Sequence, residues 1–221
     1  MRKNKDFRLT WAVPMTRRQW RDYLKHDETS VSRLGVYEIL QEHLDMCEPG
    51  PPLSFAEVGF GTCYDFAKCF RALHDRGEIL YAGYDVTAQF ARYARGEYPG
   101  YDFRQGDFLD LGERQYGITY TRHTFLHLDP GLWQGRLRAL LDATRYLCIV
   151  CWRMSPGETE SLHWSADTGY CGAWTNRYSK HDVARIVEEA GFDCEIVEFG
   201  QGKNLGVVET VYVMTRGPDA D

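Results

Sequence analysis

The sequence predicts an α/β fold with a mostly parallel sheet, and three observations support this prediction. Short apolar runs that suit strands alternate with segments of helical periodicity, which implies right-handed crossovers between parallel strands. A glycine-rich turn connects the first apolar run, 53–58, to the helix that follows it. The last two predicted strands, 194–199 and 207–215, have no helix between them, so we expect them to pair as an antiparallel hairpin.

The length and composition suit a single globular domain. The chain has 221 residues, of which 43% are hydrophobic and 26% are charged. No apolar run approaches the roughly 20 residues that a membrane-spanning helix needs, and the basic N-terminus lacks the apolar stretch of a secretory signal. We therefore expect a cytoplasmic protein. The net charge of −6 argues against nucleic acid as a partner, because nucleic-acid binding usually requires a basic face.

The first segment of the chain is predicted to be helical. Apolar side chains recur at helical spacing over 16–47, and the turn-forming residues 49–52 end this segment. We interpret 1–52 as a helical lid and 53–221 as the α/β domain.

The remaining elements follow one another in a regular order. Asp129 and Pro130 begin one helix, because Asp caps helices and Pro suits the first helical position. Ser179 caps a later helix, which Gly191 ends. The long stretch 154–178 is predicted to be irregular. The predicted strands are 53–58, 79–86, 102–105, 117–121, 146–152, 194–199 and 207–215.

The seven cysteines are interpreted as reduced thiols. Their number is odd and they are scattered along the chain, which does not suit a disulfide framework. Cys148 and Cys151 form a close pair, but a zinc site would need a second pair at similar spacing, and the sequence has none. We predict that both are small buried residues of a strand and that the protein holds no metal.

The glycine turn carries the sharpest functional signal. Glu57, Gly59 and Gly61 lie between the first strand and the first helix of the α/β domain, where glycines let the backbone approach a ligand. A dinucleotide site would place a third glycine at position 64, but Tyr64 stands there, which disfavours NAD. The same residues also suit a plain strand-to-helix turn.

Two acidic residues follow the next strands. Asp85 ends the second strand, where a carboxylate can accept hydrogen bonds from a ribose diol. Asp107 follows the third strand, where it can accept from an adenine amino group while Phe108 packs on the ring. Each Asp also suits a simpler role, as a helix cap or a loop residue.

Taken together, these motifs resemble those of the class I, Rossmann-like S-adenosylmethionine-dependent methyltransferases. The resemblance covers about residues 53–215. It implies a seven-stranded sheet of order 3-2-1-4-5-7-6 with strand 7 antiparallel and helices on both faces. It also implies S-adenosyl-L-methionine as the cofactor and methyl transfer as the reaction. Two positions depart from the family pattern: Cys63 stands where many members have a third glycine, and Leu126 where a glutamate often precedes a histidine.

The resemblance assigns roles to single residues. Glu57, Gly59 and Gly61 would line the methionine part of the cofactor. Asp85 would hold the ribose and Asp107 would bind the adenine amine. The amphipathic pattern of the lid and its position before the first strand separately lead us to expect a basic side chain, Arg18 or Arg33, near the cofactor carboxylate. The expected cofactor-binding residues are Glu57, Gly59, Gly61, Asp85, Val86, Asp107, Phe108 and Arg122, with His123 beside them.

The acceptor is expected to be a small molecule, such as a natural product or a sugar-like compound, methylated on O or N. The sequence lacks the Asn-Pro-Pro-Tyr-like tetrapeptide of enzymes that methylate base and glutamine amino groups, and the Pro-Cys nucleophile of cytosine-C5 enzymes. Protein or tRNA acceptors, a non-catalytic cofactor-binding regulator and aminopropyl transfer are the alternatives. Aminopropyl transfer is disfavoured because Arg122 and His123 stand where paired acids are usual. The sequence is compatible with a homodimer.

Histidines are the candidate general bases, because their pKa lies near neutral pH. We favour His127, with His123 second, although either histidine can instead hold the turn by hydrogen bonds. Aromatic residues of the 154–178 stretch are expected to wall the acceptor pocket, or equally to form a hydrophobic cover. The candidate acceptor residues are His163, Trp164, Tyr170, Trp174 and Tyr178.

Overall fold

A computed structural model describes residues 33–46, 50–155, 157–163, 174–200 and 208–216. None of the described helices combines the length and the apolar character that crossing a bilayer requires. The helices are α1 (Arg33–Asp45), α2 (Arg71–Asp75, preceded by a π-helical turn, Phe66–Phe70), α3 (Ala88–Glu97), α4 (Trp133–Ala143) and α5 (Lys180–Glu189). The strands are β1 (Leu53–Val58), β2 (Ile79–Asp85), β3 (Asp102–Gln105), β4 (Tyr116–Arg122), β5 (Thr144–Trp152), β6 (Met154–Ser155), β7 (Glu160–His163), β8 (Trp174–Ser179), β9 (Asp193–Gly200) and β10 (Val208–Thr215).

The main sheet has the order β3-β2-β1-β4-β5-β10-β9. Strands β1 to β5 pair in parallel, whereas β10 pairs antiparallel with both β5 and β9. This arrangement confirms the predicted order, in which the last strand enters the sheet antiparallel between the fifth and sixth. Because β1 lies between β2 and β4, the carboxyl ends of three strands meet around the turn that follows β1.

Apolar side chains point alternately to the two faces of the sheet and form a core on each. Phe55 packs into the core beneath α1, α2 and α3, while Ala56, the next residue of β1, packs into the core beneath α4 and α5. Strand β5 behaves in the same way, since Cys148 and Cys151 are both buried but lie in different cores. This confirms the interpretation of the two cysteines as small buried residues of a strand and the prediction of helices on both faces.

Helix α1 is the described part of the predicted lid, and it packs against the α/β domain. Val36 and Leu40 are buried in the core that contains Phe55 and Phe70, and the Tyr37 ring meets Phe70 edge to face at 6.2 Å between centroids. The helix therefore contributes to one of the two cores. The rest of the proposed lid, including Arg18 and the side chain of Arg33, lies outside the described residues.

The stretch 154–178 is more regular than its sequence suggested, and the prediction of an irregular segment is wrong for its described parts. Strands β7 and β8 form an antiparallel hairpin, and β6 pairs in parallel with β8. In β8, buried Asn176 and Tyr178 flank exposed Arg177, which is the alternation of a strand with one buried face. The sequence does not indicate this strand, because the polar residue Asn176 on its buried face hides the apolar–polar alternation. Residues 164–173 lie outside the described ranges.

Candidate active site

A cavity opens at the carboxyl ends of the central strands, where ligands bind in sheets of this kind. Its space, including the open mouth, is about 650 Å³. All of the residues expected to bind the cofactor line it except Glu57, and both candidate bases line it as well. The lining residues are Val58, Gly59, Gly61, Asp85, Val86, Thr87, Phe90, Gly106, Asp107, Phe108, Arg122, His123, Thr124, His127 and Leu128.

The glycine turn is shaped by a close approach between two strand ends. Gly59 has a φ of +80°, and its N–H donates to the Tyr84 carbonyl at 2.7 Å. A Cβ on Gly59 would lie 1.9 Å from the Thr124 hydroxyl oxygen, which itself donates to the Val58 carbonyl at 3.1 Å. The position therefore admits only glycine, for reasons of both conformation and space.

Asp85 connects this turn to the second strand. One carboxylate oxygen accepts from the Gly61 N–H at 3.0 Å, and the other accepts from the Thr87 N–H at 2.8 Å. Burial raises the pKa of Asp85 to about 6, although the two backbone hydrogen bonds act in the opposite direction. Each carboxylate oxygen can accept more than one hydrogen bond, so Asp85 can hold the turn and still bind a diol.

Asp107 and Phe108 form the opposite end of the cavity. The Asp107 carboxylate caps a short 3₁₀ turn by accepting from the Leu109 N–H at 2.7 Å, and it forms an ion pair with Arg136 at 3.2 Å. Phe108 is buried, with its ring 4.8 Å from that of Phe125. Asp107 is thus a cap of a short helical turn, which is the simpler role that its sequence also suits, and it lines the cavity as well.

Glu57 lies behind the glycine turn and does not line the cavity. Its carboxyl accepts from the Tyr81 hydroxyl at 2.6 Å. Burial raises the pKa of Glu57 well above its ordinary value, and the nearby Asp65 raises it further. Glu57 therefore supports the turn from within the core, and the contact with the methionine part of the cofactor that the resemblance implied stays a prediction.

An ion pair that the sequence did not reveal holds Arg122. The Arg122 Nε donates to the Asp65 carboxylate at 2.8 Å, and both side chains are less than a tenth exposed. Asp65 also accepts from the hydroxyls of Tyr37 at 2.8 Å and Tyr120 at 3.2 Å. No local motif marks Asp65, because the residues it contacts lie far from it along the chain.

Two residues near the cavity have the left-handed backbone conformation that favours glycine. Cys63 has a φ of +62° and His123 a φ of +60°. The conformation of Cys63 explains why a glycine suits this position, and the cysteine there is fully buried. His123 is held by its N–H, which donates to the Cys151 carbonyl at 2.9 Å. Strained residues of this kind are often found at functional sites.

Of the five candidate acceptor residues, only Tyr178 has a described side chain, and it does not line the cavity. Tyr178 is fully buried, and its hydroxyl donates to the Phe125 carbonyl, so it packs beneath the turn that carries His127. It belongs to the inward face of β8, which fits the alternative expectation of a hydrophobic cover. His163 and Trp174 are paired in the β7–β8 hairpin, with side chains outside the description. Trp164 and Tyr170 lie outside the described residues.

Comparisons with known proteins detect similarity in structure. No protein-family model matches the chain, and no curated protein matches its sequence. A Burkholderia thailandensis 1,6-didemethyltoxoflavin-N1-methyltransferase, solved with 1,6-didemethyltoxoflavin and S-adenosylhomocysteine, superposes with a TM-score of 0.66 at 14% identity, covering 90% of this chain and 84% of its own.

Two further solved structures are similar. The magnesium protoporphyrin IX methyltransferase of Synechocystis PCC 6803, with bound S-adenosylmethionine, gives a TM-score of 0.60 at 14% identity, covering 96% of this chain and 89% of its own. A putative methyltransferase in complex with the Haloferax volcanii Trm112 activator gives 0.59 at 14% identity, covering 91% of this chain and 98% of its own.

Proposed function

We propose that this protein, which has the fold of the class I S-adenosylmethionine-dependent methyltransferases, transfers a methyl group from that cofactor to an oxygen or nitrogen of a small molecule. One observation carries the proposal. A single cavity at the carboxyl ends of β1, β2 and β4 is lined by the glycine turn, by Asp85 and by Asp107 with Phe108. These three parts suit, in this order, the amino-acid, ribose and adenine portions of the cofactor.

The residues present fit this cofactor. Gly59 and Gly61 line the cavity with main-chain atoms, so a ligand can approach the backbone of the turn there. The Asp85 carboxylate offers acceptors to two ribose hydroxyls. Val86 and Phe108 supply apolar surface for a flat base, and the Asp107 carboxylate can accept from its amino group.

The reaction asks little of the protein beyond alignment. When bound, the cofactor supplies a methyl group on a sulfonium, which is already activated for transfer. The protein has to hold the acceptor in line and exclude water. His127 and His123 line the cavity and are the groups that can take a proton from an acceptor hydroxyl or amine.

The acceptor is proposed to bind beside His127, between the N-terminal helices and the β6–β8 region. The Asn176 amide on β8 donates to the Leu128 carbonyl at 2.7 Å, which fixes the hairpin against the turn that carries His127. Two of the similar proteins are named for small acceptors, a toxoflavin precursor and a magnesium porphyrin. The net charge of −6 also favours a small acceptor over tRNA.

Cofactor binding is tested by calorimetry with S-adenosylhomocysteine. The parent is expected to bind it, and Asp85→Ala is expected to bind it on the order of 10- to 100-fold more weakly, because a charge-assisted contact to the ribose is lost. Asp102→Ala, which removes an exposed carboxylate at the far edge of the sheet, is the control and should bind like the parent. NAD should not bind. A parent that fails to bind S-adenosylhomocysteine would refute the proposal.

Turnover separates the acceptor classes. Methyl-labelled S-adenosylmethionine is incubated with the protein and, in separate arms, with a panel of small phenols and amines, with cell protein and with bulk tRNA. Label in the small-molecule arm supports the proposal. Label only in protein or tRNA would redirect it to a macromolecular acceptor, and binding with no transfer in any arm would favour a regulatory role.

A further inference from the structure

Arg153 has a buried polar atom without a hydrogen-bond partner in the part of the chain that the structure describes. Four buried side-chain atoms there lack a partner, and three of them belong to the neutral groups of Trp152, Asn176 and Tyr212. The fourth is the Nε of Arg153, whose guanidinium also forms no ion pair with a described acid. A partly buried cation without a partner costs free energy, which makes this guanidinium a candidate for binding an anion.

The position of Arg153 brings it close to the proposed acceptor region. It directly follows β5, at the edge of the sheet where ligands bind in this fold. Its neighbours Trp152 and Met154 both pack against the core beneath α4 and α5, so the Arg153 side chain extends to the opposite face, on which Cys151 and α1 lie. The Cys151 carbonyl accepts from the N–H of His123, which lines the cavity. Arg153 therefore lies just beyond this contact, on the β5 side of the cavity.

The backbone of Arg153 is held by the same strand that supports the turn of the candidate base. Its carbonyl accepts from the Tyr178 N–H of β8 at 3.1 Å. The Tyr178 hydroxyl in turn donates to the carbonyl of Phe125, in the short helical turn that ends at His127. Arg153 and His127 are thus joined through β8, which gives the start of the Arg153 side chain a defined position relative to His127.

The charged residues that line the cavity are separated by sign. The two lining acids, Asp85 and Asp107, lie on the side proposed for the ribose and the adenine. On the side towards β5, the lining residues that can carry a charge are Arg122, which is ion-paired, and the two histidines, His123 and His127. A molecule that enters on this side meets none of the described lining acids there, which suits an anionic acceptor.

We propose that the methyl acceptor carries a carboxylate and that Arg153 binds this group. The proposal rests on the proposed function and names the chemical class of its acceptor. Two parallel N–H groups of a guanidinium match the two oxygens of a carboxylate, so the contact fixes the orientation of the acceptor as well as its position. The residue is only part-buried, so a ligand can approach the guanidinium, and a rotation of its plane brings the Nε–H to the ligand. The acceptor then presents its oxygen or nitrogen to the cofactor beside His127.

Matched pairs of small aromatic molecules test this selectivity. The probes are benzoate, 4-hydroxybenzoate and indole-3-carboxylate, each compared with its own amide, which has nearly the same shape but no charge. Binding is measured by calorimetry with saturating S-adenosylhomocysteine present, so that the cofactor site is filled and the probes cannot occupy it. We expect at least one carboxylate to bind the parent about tenfold or more tightly than its amide.

Arg153→Gln is the main variant, and it should lower this preference to less than about threefold. Its affinity for S-adenosylhomocysteine should stay close to that of the parent. Its thermal midpoint without ligand should stay the same or rise by about 2 °C, because an unpaired charge is removed, whereas loss of an arginine that served the fold would lower it. Arg177→Gln is the control, because Arg177 on β8 is exposed and pairs with Glu160, and this variant should keep the preference of the parent.

Three results would each overturn the inference. The parent could bind S-adenosylhomocysteine but prefer none of the carboxylates to its amide. Arg153→Gln could retain the preference, or Arg177→Gln could lose it equally. Arg153→Gln could also lose its affinity for S-adenosylhomocysteine or unfold at a clearly lower temperature, which would give Arg153 a role in cofactor binding or in the fold. A folded parent that does not bind S-adenosylhomocysteine would instead refute the proposed function itself.

Discussion

The carboxylate of Asp85 serves both the glycine turn and the proposed ribose site, so its charge matters to the whole cavity. Burial raises its pKa to about 6. We therefore expect the affinity for S-adenosylhomocysteine to fall as the pH drops below about 6, by roughly tenfold between pH 7 and pH 5, since the protonated acid accepts fewer hydrogen bonds. Calorimetry across this range measures the effect.

The control for this pH dependence is Asp85→Asn, which leaves His123 and His127 in the cavity. Its affinity should be lower than that of the parent and should change much less between pH 5 and pH 7. The stability of the unliganded protein should depend on pH in the opposite direction. Because the folded-state pKa is raised, Asp85 favours folding fully below its unfolded value of about 4, and this benefit, roughly 1–3 kcal/mol, is lost as the pH rises through about 6. A parent affinity that does not change between pH 5 and pH 7 would contradict the assignment.

Gly59 offers a second prediction at this scale. Gly59→Ala should lower the free energy of unfolding by more than about 2 kcal/mol and abolish cofactor binding, because the new Cβ meets the Thr124 hydroxyl. Gly77 is the matched control: its φ of +76° is almost the same, but no atom lies within 4 Å of an added Cβ. Gly77→Ala should cost only about 1 kcal/mol and leave binding intact. If Gly59→Ala and Gly77→Ala lose the same free energy of unfolding in urea, then the backbone conformation, and not the contact with Thr124, excludes a side chain at Gly59.

The two histidines of the cavity differ in how their backbone is held, and the third prediction depends on this. Once an acceptor is found, His127→Ala is expected to lower turnover about 100- to 10,000-fold with little change in cofactor affinity, as for a general base. His123→Ala replaces a residue in a strained conformation, so we expect a loss of stability as well. If both variants keep the turnover of the parent, alignment alone drives the reaction.

Single residues also show what the sequence can and cannot predict about the site. Asp85 and Asp107 lie at or directly after the ends of strands, so recognising the strands was enough to bring them to one edge of the sheet. Asp65, Tyr37 and Tyr81 have no such marker. Their contacts join residues 24 to 57 positions apart, and only the completed fold brings these residues together.

Among the elements, α1 is the one whose role changed most between sequence and structure. The spacing of its apolar residues correctly predicted a helix. A lid helix and a core helix share the same amphipathic pattern, so this spacing alone does not distinguish them. Leu40 is fully buried, which makes α1 part of the packed body. The hairpin of β7 and β8 was missed for a related reason, because buried Asn176 interrupts the apolar face.

The burial of α1 gives the fourth prediction. Leu40→Ala should lower the free energy of unfolding by about 2–4 kcal/mol, because it leaves a cavity beneath the helix. Met46, directly after this helix, is 71% exposed, so Met46→Ala should change stability by less than about 0.5 kcal/mol. Urea unfolding of both variants measures the difference. A small effect of Leu40→Ala would show that α1 can detach from the core.

At the scale of the whole molecule, the order of the strands was predictable because the family resemblance fixes it once the elements are recognised. The alternation of predicted strands and helices indicated the parallel part of the sheet. Because the sequence predicts no helix between its last two strands, it also indicated the antiparallel end, and β9 and β10 pair in this way. Two things beyond this remain proposals: which molecule accepts the methyl group, and where it binds.

The position of β1 between β2 and β4 has a consequence for how the protein is made. Two hydrogen bonds link the end of β4 and the residues after it to the two sides of the glycine turn. Arg122 donates to Asp65, 57 positions away, and Thr124 donates to the carbonyl of Val58, 66 positions away. A chain emerging from the ribosome therefore has no complete cavity until the segment around Thr124 has been synthesised and β4 has paired with β1. Strand β10 enters between β5 and β9 later still. The cofactor can thus stabilise only late stages of folding, and the early stages depend on the core alone.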